Sequence, residues 1–98
     1  MNYPALAAPR SPQSSEQPSI IAAVEAYVRS EAAVQKVRVQ RILVDGQYAR
    51  AEVVPLDVQT DTVTAYLRRQ GAAWRVLAFG TDFMPSELER LNIPGSLR

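Results

Sequence analysis

Residues 19–33 place Ile20, Ile21, Val24, Tyr27 and Val28 at i, i+3/i+4 and i+7/i+8 spacing, with Glu25, Arg29 and Ser30 opposite. That 3.6-residue period predicts an amphipathic helix, with Ser15 or Ser19 available to cap it. The period then falls to two. Over 35–44, Val37, Val39 and Leu43 alternate with Lys36, Arg38 and Gln40, and the Asp45-Gly46 pair that follows is a hairpin turn signal. Residues 48–54 put Ala49, Ala51 and Val53 on one face and Tyr48, Arg50 and Glu52 on the other, before Pro55 ends the strand. Over 62–80 two more strands are joined at Gln70-Gly71-Ala72: Val63, Ala65 and Leu67 alternate with Thr64, Tyr66 and Arg68, then Trp74, Val76 and Ala78 alternate with Arg75, Leu77 and Phe79. A short helix over 85–91 carries Pro85 near its first position, and Asn92-Ile93-Pro94 stops it.

The order helix, four antiparallel strands, short helix predicts an α+β domain over 19–98, with the N-terminal helix packed on the sheet. The face holding Ala49, Ala51, Ala65 and Ala78 is unusually small, so the helix can sit close to it, and Trp74 covers one end. The other face is mixed. Leu77 and Phe79 stand there among charged residues and require cover: by Phe83, Leu88, Leu91 and Ile93 of the tail, by a second protomer, or by a ligand. Arg38, Arg50, Tyr66, Arg68, Arg75, Leu77 and Phe79 form the candidate partner-binding surface on that face.

Charge changes this picture little. The 98 residues carry a net charge of +1, yet segments 34–54 and 62–80 hold seven basic and two acidic side chains, so the sheet is basic and the helices, loops and tail are acidic. Near-zero net charge, and aromatics without the spacing of a sheet-face RNA reader, weigh against nucleic acid. Cys and His are both absent, which removes thiol nucleophiles, disulfides and the commonest general base and metal ligands. Ser14, Ser15, Ser30 and Ser86 lack an activating base, and no glycine loop cradles a phosphate. Asp57, Asp61 and Asp82 are the remaining candidates for a cation site, without the spacing of a calcium loop; solvated turn carboxylates explain them more simply. No motif implies a cofactor. No apolar run has the ~20 residues of a transmembrane helix. Residues 1–18 hold four of the seven prolines together with Ser and Gln, which predicts a disordered or extended leader ahead of the folded domain; it suits an exported protein slightly better than the ragged N-terminus of a cytosolic one.

A helix followed by antiparallel strands, with Gly71-Ala72-Ala73-Trp74-Arg75-Val76 in the last hairpin, resembles the cystatin-like and NTF2-like small α+β domains over residues 19–80. The segment from Phe79 to Pro94 is similar to the ends of small exported bacterial proteins. The resemblance implies a sheet wrapped on an N-terminal helix. It implies no activity, because that superfold carries enzymes, binders and scaffolds alike. The function expected on these grounds is non-enzymatic protein binding or assembly, with a protein partner or a second copy of the chain. The alternative is a small-ligand or enzymatic pocket between helix and sheet, using Tyr27, Tyr66, Asp61 or Asp82.

Overall fold

Helix α1 (Glu16–Glu31) is followed by strands β1 (Val37–Asp45), β2 (Tyr48–Pro55), β3 (Val63–Gln70) and β4 (Ala73–Gly80), helix α2 (Pro85–Arg90) and a 3-10 turn at Gly95–Leu97. This is a computed structural model, and it describes residues 9–31, 36–56 and 61–98. The strands form one antiparallel meander in the order β1-β2-β3-β4, so β1 and β4 are its two edges. Two-residue turns at Gly46 and Gly71, both with positive φ, join the hairpins β1–β2 and β3–β4, as tight turns between right-twisted strands require.

The sheet is covered on both sides. On one side Ile20, Val24 and Val28 of α1 lie on Ile42, Val44, Ala49, Ala51, Val53, Ala65, Leu67 and Trp74, all buried. Ala49, Ala51 and Ala65 have no exposure, so the helix is seated close against the strand backbone. On the other side the tail crosses the sheet: Leu88, Ile93 and Leu97 are buried on Tyr66, with Leu43, Tyr48, Leu77, Ala78, Phe83 and Leu91 packed around them. Of the covers the sequence allows, the intramolecular one made by Phe83, Leu88, Leu91 and Ile93 is present.

Two bulges set which residues face which layer. In β1 the register passes from Gln40↔Glu52 to Leu43↔Arg50, so Arg41 and Ile42 together oppose Ala51. Arg41 takes the left-handed φ of +49° that such an insertion can demand. Alternation resumes one residue out of phase: Val37 and Val39, then Ile42 and Val44, face α1, while Leu43 lies under the tail. In β4 the register passes from Leu67↔Val76 to Tyr66↔Ala78, so Leu77 is the extra residue. Beyond it the faces exchange. Ala78 packs under the tail, and Phe79 packs on the α1 side, where its ring centroid lies 5.3 Å from that of Tyr27. The expected placement of Phe79 on the outer face is thus corrected, as is that of Ala78 on the inner one. A strict two-residue period cannot survive an inserted residue.

The tail is held at both ends. Asn92 adopts a φ of +59° just past α2. Its N–H donates to the carbonyl of Glu89 (3.0 Å), and the N–H of Ile93 donates to that of Leu88 (2.9 Å). This is a Schellman closure with Asn in the left-handed position and its apolar contact between Leu88 and Ile93. Ser96 then donates a hydrogen bond to Asp45 at the end of β1.

Two substitutions test the two cores separately. Trp74→Ala should cost about 3–5 kcal/mol and Ile93→Ala about 2–5 kcal/mol in urea unfolding. A loss under about 1 kcal/mol for Ile93→Ala would show that the tail is not part of the cooperative fold.

Candidate functional site

The N-terminal segment belongs to the fold further upstream than its composition suggests. The expected boundary between leader and domain at residue 18 does not hold, because residues 10–18 belong to the fold; residues 1–8 lie outside the described part. Arg10 exchanges backbone hydrogen bonds with Val44 on the outer edge of β1 (2.9 and 2.8 Å). Glu16 opens α1, and Pro18 falls in its first turn, where a missing N–H is tolerated. Neither Ser15 nor Ser19 caps the helix. The Glu16 carboxylate instead reaches back three residues to accept the N–H of Gln13 at 2.9 Å, the reciprocal bond of a capping box.

Glu16 also gathers a cluster of charges around a buried carboxylate. That carboxylate accepts two hydrogen bonds from the Arg10 guanidinium, at 2.8 and 3.1 Å, and one from Arg69 on β3. Arg69 in turn lies 4.9 Å over the Trp74 ring, a cation–π contact. Glu16 is only 7% exposed, and its charge is sustained by these donors. The Arg10 hydrogen bonds, then the Gln13 N–H, outweigh the burial and hold its carboxyl down at a pKa of about 2. The same contact holds Arg10 above its ordinary value. An open cleft of about 270 Å³ lies beside this cluster, lined by Gln13, Ser15, Glu16, Arg69 and Trp74. With both guanidinium groups already on Glu16, what the cluster does is tie the β1 edge, the start of α1 and the end of β3 together. Sequence reasoning missed Arg10, Glu16 and Arg69. The available signals were the three-residue spacing from Gln13 to Glu16 and a proline at 18, which fits only a helix begun before it.

Of the residues expected to form a partner surface on the outer face, Arg50 lies opposite Tyr66 and Arg68 opposite Arg75 in the sheet, with Leu77 on the same side, but Phe79 is on the other face and the tail covers Tyr66 and Leu77. Tyr66 is 3% exposed and meets Phe83 edge-on at 5.3 Å. Leu77 is half-buried under the tail, and Phe79 is on the helix side. Arg68 lies 5.7 Å over the Tyr48 ring. Arg38 is exposed, and Arg50 is half-buried with its Nε enclosed and unpartnered among the described residues. Arg75, exposed on β4, makes no ion pair among the described residues. The expected pocket residues also separate: Tyr27 and Tyr66 lie on opposite faces of the sheet, and Asp61 and Asp82 are exposed loop residues. Asp57 lies outside the described residues. Among the described residues no three acidic side chains gather as a metal site would require, and no helix is long and apolar enough to cross a membrane.

What remains open is an edge. Arg69 donates its N–H to Gln47, on the β2 side, so the neighbours Arg68 and Gln70 turn their backbone groups to β4, as do Tyr66 and Thr64. Their partners on β4 are Arg75, Ala73, Ala78 and Gly80. The backbone N–H and C=O groups of Trp74, Val76 and Phe79 therefore point away from the sheet. Among the described residues no backbone group pairs with them. Above this edge, Ser19, Ala22 and Ala23 of α1 and Ala72, Ala73 and Trp74 line an open groove of about 340 Å³.

Comparison of the chain with protein-family models, with curated proteins and with solved structures gave no significant match.

The charge cluster sets a pH dependence. Because folding lowers the Glu16 carboxyl from 4.5 to about 2, its contribution to stability is complete above about pH 4.5 and is lost as pH falls toward 2. Denaturant titrations across that range should show wild-type stability falling more steeply than that of Glu16→Gln. Parallel curves would mean that the cluster does not favour the ionised form.

Proposed function

We propose that this chain is a non-catalytic protein-binding or assembly module of the cystatin-like or NTF2-like kind, which takes up a partner strand along the open edge of β4. The observation that carries it is the row of outward backbone groups on Trp74, Val76 and Phe79, without a partner among the described residues. An added strand satisfies such groups directly, and this is a recurrent mode of peptide and protein recognition. The two edges of the sheet contrast. The β1 edge is bridged by Arg10, interrupted by the Arg41 bulge and lined with Arg38 and Arg41, all devices that discourage strand addition. Strand β4 has a single charge, Arg75, and no proline. Of the residues that the sequence pattern offers as a contact surface, Arg75, Leu77 and Phe79 lie on this strand, and of these Phe79 turns its backbone groups to the open edge.

The test uses the direction of one N–H group. Val76→Pro removes an outward donor and leaves the β3–β4 ladder intact, the one setting in which a strand tolerates proline. The immobilised module, exposed to an extract of its native source, should retain a defined set of proteins that Val76→Pro loses, while the Trp74 near-ultraviolet signal of the variant stays unchanged. Identical retention by both forms would overturn the proposal. So would slow exchange of the Val76 and Phe79 amides in dilute monomer.

A further inference from the structure

We propose that the strand accepted by β4 is β4 of a second copy of this chain, paired antiparallel about a two-fold axis that passes between Leu77 and Ala78. The inference rests on the reading of β4 as a strand-accepting edge and names its partner. A two-fold axis makes one edge complementary to itself, as closed dimers require. The bulge and the charges together select the register, since the other pairing of outward residues, Trp74 with the partner's Val76, sets Arg75 against the partner's Arg75. An antiparallel ladder needs outward-facing residues opposite outward-facing residues. In β4 the outward pair Val76 and Phe79 is separated by the two bulge residues, Leu77 and Ala78. Placing the axis between those two sets Val76 against the partner's Phe79 and Phe79 against the partner's Val76. Both side chains are on the α1 side, so the pairing also makes two aromatic–aliphatic cross-strand contacts.

The same register matches charge. Arg75 comes to lie opposite the partner's Gly80, which has no side chain to block it. Two residues further along is the partner's Asp82, within the diagonal reach of a long side chain. Arg75 and Asp82 are both exposed and neither forms an ion pair within its own chain among the described residues. Arg75 stands on the tail side, and the chain turns toward that side at Gly80, where the Phe83 ring comes within 3.6 Å of the position a Cβ would take. The two-fold axis makes this contact twice. The small residues Ser19, Ala22 and Ala23 beside the edge leave room for the approaching helix of the second copy.

Sedimentation velocity on the purified chain, from micromolar concentration to about 1 mM, should show a monomer–dimer equilibrium that Val76→Pro abolishes. Arg75→Asp and Asp82→Arg should each weaken the dimer about tenfold, since each turns two attractions into two repulsions. Mixing these two variants should restore it. In the mixed dimer one contact is the pair with its charges exchanged and the other is the native pair, so both are attractive again. A chain that stays monomeric throughout overturns the inference, as does a dimer indifferent to all three substitutions. If the chain is monomeric but still retains other proteins in a Val76-dependent way, only the second copy is excluded and the strand-accepting edge stands. If that retention is absent too, both fall.

Discussion

The single inserted residue at Leu77 decides more of this structure than any other feature. A strand of eight residues with strict alternation would show Trp74, Val76 and Ala78 to the helix and leave Leu77 and Phe79 opposite. With the bulge, the bulky Phe79 goes to the helix side, where it meets Tyr27, and Leu77 and Ala78 both go to the tail. Each layer of a small domain thus receives apolar surface from its edge strand. This matters because about ninety residues must bury two separate clusters, and chains of this size have little surplus core. The bulge in β1 has the same effect at the other edge. Ile42 and Val44 join the helix-side core there, and Leu43 joins the tail-side one.

Two-sided cover explains why the flanking segments are fastened as they are. A four-stranded meander with one helix would leave its second face to water, and Tyr66, Leu77 and Leu43 would stand exposed on it. The tail closes that face, anchored by the left-handed Asn92 at the end of α2 and by Ser96 on Asp45. The upstream segment fastens the other side. Glu16 receives Arg10 from the β1 edge and Arg69 from β3, so one carboxylate holds the helix start over the hairpin ends. A buried ion pair is poor evidence of large net stabilisation, because desolvation offsets much of the attraction. Its value here is geometric: the segment at Arg10, the start of α1 and the end of β3, the last 53 residues away in sequence, are held together.

The elements themselves are legible in the chain. Helical and two-residue periods, Asp45-Gly46, Gly71, Pro85 and Asn92-Ile93-Pro94 mark the helices and strands to within about three residues, and the small inner face foretells close seating of α1. The face of each strand is legible only as far as its bulge. Periodicity assigns Val37, Val39, Trp74 and Val76 correctly and fails at Leu43, Ala78 and Phe79, because an insertion leaves no composition signal of its own. The Glu16 cluster is hidden for a different reason. Its arginines are 6 and 53 residues from Glu16, and a charged residue beside prolines and serines reads as part of a solvated leader. The same bulge takes Phe79 off the expected partner surface, since Tyr66, Leu77 and Phe79 share a face only if β4 alternates without interruption.

Strand edges invite pairing whether or not a partner exists, and folded proteins commonly blunt them with charges, prolines, bulges or cover. This chain applies nearly the whole set to β1: Arg38 and Arg41 on the strand, a bulge in the left-handed conformation, and the bridge to Arg10. On β4 the bulge falls between two outward-facing residues, and its effect there is opposite. Under the proposed pairing it would space Val76 and Phe79 to match a second copy across a two-fold axis, with Arg75 in the strand and Asp82 just beyond its end facing each other. An edge left open through want of protection would be expected to pair in many registers. In the pairing proposed for β4, backbone direction, the gap at Gly80 and the position of opposite charges agree on one register, which is what would distinguish a specified interface from an unprotected edge.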